Sequence, residues 1–536
     1  MAMTRRLFMA ACAATAAHAI CAEGPLQRAA TAALQQPAGA RRRYHLSISP
    51  EALQADPALI ELVKQAGVSD IWVIAFLYGH WHYPLETVVG WRTRIEQAGL
   101  SFHILNLPLG HPGDALGSTQ GGFPLTPPPR WKQGISADGA AHAGTSLHTP
   151  ATQENCDALQ KLAAAGVKRV FLDDDFRLAR GPGDIGGCFC PEHKKRFCDL
   201  HGYGDAQWQA LLHAVKARDL TPILREWVDF TCDELTESFR AQQAAAPTVQ
   251  LGNMIMYLGS EKAGIRLADY RDSLFRVGEY MFDDQKFSPI KGKTDELFSC
   301  LFHRRYAQPE LAFSETTAYP ADKLSADNMA AKLAVSTIAD VRNTLFMSGV
   351  TTFPRTHWAT LAPAMKQHAA IHERLAGHAP AGPFKHLWGE HSRFIGDDNP
   401  YSLFLALGVP FEVTDKPAPD GWTFLADHDA RGIQIPTLPA TQFIARPSAK
   451  TDGGCRAVPE ALPDLFALKH EILPHLANVP YVEQDVPVVC AWYPTARAVL
   501  LWNLQEKPVS LTLRKGESKR EVAVGALGVT LQEAIY

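Results

Sequence analysis

Beyond its N-terminal segment the 536-residue chain has no basic run longer than three residues, and its 52 basic side chains are outnumbered by 56 acidic ones, for a formal net charge of -4. That balance offers no positive patch to nucleic acid or to an anionic membrane surface. A membrane span is not expected either, because the apolar run at the N-terminus, "LFMAACAATAAHAICA", is too short and too alanine-rich to cross a bilayer stably. No glycine-rich fingerprint follows the first predicted strand, which argues against a dinucleotide-binding doubly wound sheet. Internal repeats and low-complexity stretches are not evident after residue 42. What is present is a globular composition, 46% hydrophobic and 20% charged, in a chain long enough for two or three domains. The expected partner is a neutral small molecule or polymer.

The first 22 residues read as a targeting segment. Arg5 and Arg6 precede the apolar run, and small residues near Ala19 and Ala22 suit a signal peptidase. "TRRLFM" also resembles the twin-arginine export signal, with an ordinary secretory signal as the alternative, so the expected location is periplasmic or secreted. Residues 23–42 read as a disordered leader.

From Arg43 onward, short apolar runs alternate with amphipathic stretches. Strands are predicted in "YHLSIS", "DIWVIAFLYG", "SFHILNLPLG", "KRVFLDDDFR", "VQLGNMIMY", "FRVGEYMFDD", "ELAFSETTAYP" and "TLFMSGVTTFP". Predicted helices include one running through "PEALQADPALIELVKQAG" and others near 85–98, 151–165, 206–246, 294–306 and 325–343. Apolar strands alternating with helices imply parallel pairing covered on both faces, and eight such units predict a (β/α)8 barrel over residues 43–376.

The fourth strand runs straight into Asp173, Asp174 and Asp175. In such a barrel the C-terminal strand ends open onto the active-site mouth, which explains carboxylates there. Alternation along the strand separates Asp174 from its two neighbours, so one of the three is expected to turn outward or to pair with a cation such as Arg177. Capping of the next segment or holding of a structural cation is the alternative role for the group. A second carboxylate, Glu315, closes strand 7. Two carboxylates from different strands facing each other across a mouth are what glycosidic-bond cleavage needs: one protonates the leaving oxygen, and the other attacks the anomeric carbon or activates water. Glu279, after strand 6, is expected to position substrate.

In "CFCPEH" a short loop can present Cys188, Cys190 and His193 to a tetrahedral Zn²⁺. A fourth ligand is expected from elsewhere, with His148, Cys156 and Cys198 as candidates. Disulfides with more distant partners are the alternative, since Cys188 and Cys190 are too close to bridge one another without strain.

With its fourth strand ending in acid, a following cysteine loop and a glutamate closing strand 7, the chain resembles the family-42 β-galactosidases, retaining glycoside hydrolases built on a (β/α)8 barrel. The resemblance implies Glu315 as nucleophile, Asp174 or Asp175 as acid/base and a structural zinc. "DDD" stands where that family has an Asn-Glu pair, and His193 stands for its last cysteine. The resemblance extends to the layout. After the Pro/Gly-rich "GHAPAGPF", residues 385–475 read as a small α/β module, matching the flavodoxin-like domain through which relatives form trimers, and residues 480–536 alternate as short strands of an antiparallel β-domain. Trp81 and His82 after strand 2, Asn106 near the end of strand 3, Asp173, Arg177, Glu279, and Trp358 after strand 8 make up the expected sugar-binding set, since tryptophan faces stack on sugar C–H groups while polar side chains bind hydroxyls. The function so predicted is cleavage of a glycosidic bond in an oligosaccharide or glycoside. A barrel that binds carbohydrate without hydrolysing it, and a metal-dependent sugar isomerase or deacetylase, are the alternatives.

Overall fold

The computed structural model describes residues 41–110, 128–145, 147, 150–173, 176–181, 183–278, 280–349, 351–432, 441–449, 454–476 and 478–535. Eight parallel strands, β1 (Arg43–Ile48), β2 (Asp70–Leu77), β3 (Ser101–Leu107), β4 (Arg169–Leu172), β5 (Gln250–Met256), β6 (Leu274–Gly278), β7 (Ala312–Thr317) and β8 (Asn343–Met347), pair in chain order, and β8 pairs back onto β1. The barrel is closed. A two-residue strand, His80–Trp81, folds back antiparallel on the end of β2.

Alternation divides each strand between two environments. Trp72, Ile74, Leu105, Phe171, Leu274, Phe313 and Leu345 fill the barrel interior, whereas Leu46, Ile71, Ile104, Val170, Leu251 and Phe346 join the larger core beneath the surrounding helices. Aromatic rings dominate the inner layer: Phe171 lies 4.5 Å from Trp72 and 4.9 Å from Phe313, centroid to centroid. Gly252 on β5 is what admits the Phe171 ring. A Cβ there would fall 2.6 Å from both Phe171 and Leu274.

The helices follow local chemistry. The stretch expected as one helix over 50–67 is two, Pro50–Ala55 and Leu59–Ala66, because Pro57 cannot continue the first. The helical region expected over 206–246 likewise divides into Asp205–Ala217 and Pro222–Ala245. Thr221 caps the second by accepting the Leu224 N–H at 3.4 Å, and Pro222 occupies its first turn.

Beyond the barrel, five strands at Phe384–Leu387, Phe411–Thr414, Gly421–Leu425, Thr441–Ala445 and Cys455–Ala457 form an all-parallel sheet in the order 2-1-3-4-5, the flavodoxin-like arrangement. The C-terminal segment builds two three-stranded antiparallel sheets. No described helix is long and apolar enough to cross a membrane.

Candidate active site

The same alternation that fills the barrel interior sets three charged residues one step higher, at its C-terminal end. Asp173 follows Phe171, Arg276 follows Leu274 and Glu315 follows Phe313, each by two residues. All three are buried, at 6%, 0% and 2% exposure. The Arg276 guanidinium carbon stands 5.4 Å from the Phe171 ring centroid, so the aromatic layer is its floor. Above that floor the guanidinium meets both carboxylates: its Nη2 touches Asp173 Oδ1, and its Nε lies 3.0 Å from Glu315 Oε2. Both are buried ion pairs. Glu315 also accepts a short hydrogen bond from Thr317 Oγ1. Burial pulls Arg276 below its ordinary range, and the Glu315 charge opposes that pull. Two carboxylates thus meet one guanidinium at the C-terminal end of the barrel, where cleavage of a glycosidic bond would require carboxyl groups.

Arg276 was not singled out by sequence reasoning. Its signal was there: one arginine at an inward position of an otherwise apolar strand, a placement that is costly unless the cation is paired. Arg177, the expected cation for the aspartate cluster, donates from Nε to Ala179 O at 3.0 Å and from Nη2 to Arg180 O at 3.3 Å, contacts that brace the loop after β4. Asp174, Asp175, Glu279 and His148 lie outside the described residues.

Two more of the expected binding residues are placed away from the mouth. Asn106 faces outward with Ile104, and its Oδ1 accepts the Phe76 N–H at 3.1 Å, fixing the irregular end of β2. Trp358 is 2% exposed and packs 5.0 Å from Phe353 and 5.6 Å from Phe346, between β8 and the helix His357–Leu375. It is a core residue. Trp81 lies against Phe76, 5.4 Å away, and His82 edge-on to Tyr83 at 4.7 Å. Among the described residues, the exposed rings at the C-terminal strand ends are Tyr280, after β6, and Tyr319, after β7, at 40% and 43% exposure. Tyr280 is stacked 5.7 Å from Tyr257, and its loop is pinned by Glu296, whose Oε1 accepts the N–H groups of Tyr280 (2.9 Å) and Met281 (2.8 Å). The Tyr319 N–H donates to Phe282 O at 3.0 Å, tying the two loops together.

The cysteine loop stands apart from this group. One ligand atom each from Cys188, Cys190 and His193 falls within 4.8 Å of the others, compact enough for three corners of a tetrahedral zinc site. The loop is anchored on one side by Ile135, whose N–H points at Cys188 Sγ (3.4 Å) and whose carbonyl accepts the Phe189 N–H (2.7 Å). Burial opposes a Cys188 thiolate, but His193 and the Ile135 N–H hold its pKa below the ordinary thiol range. Burial also opposes charge on His193, which Cys188, Glu234 and Cys190 nevertheless push up to about 10. Cys188 is thereby held toward the thiolate, the form a metal takes, whereas a metal would have to displace the proton that these neighbours hold on His193. Among the described residues neither Cys156 nor Cys198 joins the three, and no disulfide links any two described cysteines.

The chain shares its fold with bacterial β-galactosidases. The β-galactosidase of Rahnella sp. R3 superposes with a TM-score of 0.56 over 92% of this chain and 98% of its own, at 11% identity. That of Marinomonas ef1 gives 0.57 over 91% and 99%, at 10% identity, and that of Bacillus circulans sp. alkalophilus 0.58 over 92% and 98%, at 9% identity. No family model matches the sequence, and no curated protein matches it. The likeness therefore lies in the architecture, and it runs nearly end to end.

Proposed function

We propose that the chain is an exported glycoside hydrolase that cleaves a β-galactosidase-type substrate with retention of configuration. The observation that carries this reading is Glu315: a carboxylate inside the barrel, at the C-terminal end of β7, bracketed by Arg276 and Thr317 above a floor of aromatic rings. Glu315 attacks the anomeric carbon as the glycosidic C–O bond breaks, and Asp174 or Asp175 gives its proton to the leaving oxygen. Water then attacks the glycosyl-enzyme, returning a proton to the same aspartate and freeing Glu315. Arg276 stands against the nucleophile, and Asp173 steadies Arg276 from the other side. Tyr280 and Tyr319 offer ring faces to the sugar.

In the same reading Cys188, Cys190 and His193 hold a structural zinc, remote from the chemistry. When bound, the metal crosslinks the loop after β4. Residues 1–22 direct export, and the flavodoxin-like module supports a homotrimer, for which a solution mass of three chains is the expected result. Turnover of a panel of aryl glycosides by the purified protein, with and without chelator, tests the enzymatic claim: hydrolysis that survives chelation is expected, and absence of any turnover, or turnover only on added metal, contradicts it.

A further inference from the structure

The helix Pro222–Ala245 presents three residues to the cysteine loop from one face, at positions i, i+4 and i+7. Trp227 Nε1 donates to Gly186 O at 3.0 Å. Thr231 and Trp227 close on Gly187, whose φ of +104° and lack of a Cβ both matter, because a Cβ there would come within 2.7 Å of each side chain. Glu234 completes the face, with its Oε2 3.4 Å from His193 Nε2. The other ring nitrogen of His193, Nδ1, points into the loop, 3.2 Å from Cys190 Sγ.

We infer that Glu234 is a positioning residue for the metal: it holds the Nε2–H of His193, so that the Nδ1 lone pair faces the zinc, and thereby makes the helix Pro222–Ala245 part of the site. This rests on the proposal that the loop binds zinc. An imidazole differs from a thiolate in having two nitrogens that exchange roles, so a histidine ligand needs an acceptor behind it to fix the tautomer and the ring plane. Glu234 is suited to that task. It is 11% exposed, and its outer edge meets Arg196 in a two-pronged contact, Nη2 to Oε1 at 2.5 Å and Nη1 to Oε2 at 2.6 Å. The histidine of this loop needs such a partner, and the chain supplies one from a residue more than 40 positions further along the sequence.

The test uses the full-length protein and zinc, with a chromogenic chelator as competitor. Wild type, Glu234→Gln and Arg196→Gln are compared after far-UV circular dichroism has established that all three are folded. Glu234→Gln is expected to weaken zinc binding by about 10- to 100-fold and to shift the visible spectrum of the cobalt(II)-loaded protein as the imidazole turns. Arg196→Gln removes the other partner of Glu234 without touching His193, and because the arginine is itself half-exposed it is expected to change affinity by less than about threefold. Zinc binding by Glu234→Gln within twofold of wild type overturns the inference, as does an equal loss in Arg196→Gln. Wild type that binds no zinc overturns the zinc proposal itself, a result distinct from either.

Discussion

Arg276→Met places the heaviest load on the proposed site. The guanidinium is fully buried and is the cation that both Asp173 and Glu315 touch, themselves only 6% and 2% exposed. Methionine keeps much of the volume over Phe171 but leaves two buried carboxylates facing each other. Breaking a buried pair by removing one partner costs about 3–5 kcal/mol, and at pH 7 we expect a loss near the middle of that range, a large share of a stability of about 5–15 kcal/mol. Equilibrium urea unfolding reads this as a lowered midpoint. Adding Glu315→Gln removes one of the stranded charges, so the double variant should recover about 1–3 kcal/mol relative to additivity. Lowering the pH to about 5 should also shrink the loss, since an orphaned carboxylate that takes up a proton no longer needs a cation. An Arg276→Met protein within about 1 kcal/mol of wild type at pH 7, below the range for a broken buried pair, or a double variant with no coupling, would refute the view that this guanidinium holds the two acids together.

Tyr280→Ala and Tyr319→Ala should each raise KM about 2- to 10-fold with kcat nearly unchanged, the worth of one ring contact at about 0.5–1.5 kcal/mol. Equal losses in kcat would show that the rings act on the transition state instead. Stability should fall as the medium is acidified from pH 6.5 to 4. Burial holds His45 and His303 down to about 4 and His368 to about 3, so the unfolded chain takes up these protons first, and each group withdraws up to about 3 kcal/mol across that window. Asp398, raised to about 6 by burial, works in the opposite direction over its part of the range, as do Asp295 and Asp429, which burial also raises, but the buried histidines held low, His386 and His428 among them, are more numerous. Urea midpoints measured at pH 7, 6, 5 and 4 check the slope, which His303→Gln should flatten; a midpoint that does not move with pH contradicts this reading.

The barrel was legible because its strands are apolar runs whose period-two pattern separates an inner from an outer face, a signal that survives without any knowledge of partners. Glu315 was legible for the same reason, as a carboxylate at the end of such a run. Arg276 was not, since its meaning depends on Asp173 and Glu315, which lie on other strands and over 35 residues away in sequence. Trp358 and Tyr319 show a second limit. Both are aromatic residues soon after a barrel strand, yet one turns beneath a helix and the other onto the mouth, and only the path of the backbone after the strand decides between them. Asn106 was misread by one step of alternation, the step that turns an inward side chain outward. The cysteine loop was visible as a spacing, whereas the place of Glu234 beside His193 comes from a helical face shared with Trp227 and Thr231.

The most direct test of the central claim is the turnover of an activated aryl glycoside by Glu315→Ala, with and without azide. Loss of at least about a thousandfold in kcat/KM, roughly 4 kcal/mol of transition-state stabilisation, followed by azide rescue giving a glycosyl azide of inverted configuration, is the predicted result. Near-wild-type hydrolysis by Glu315→Ala of any substrate that the wild type cleaves would contradict it.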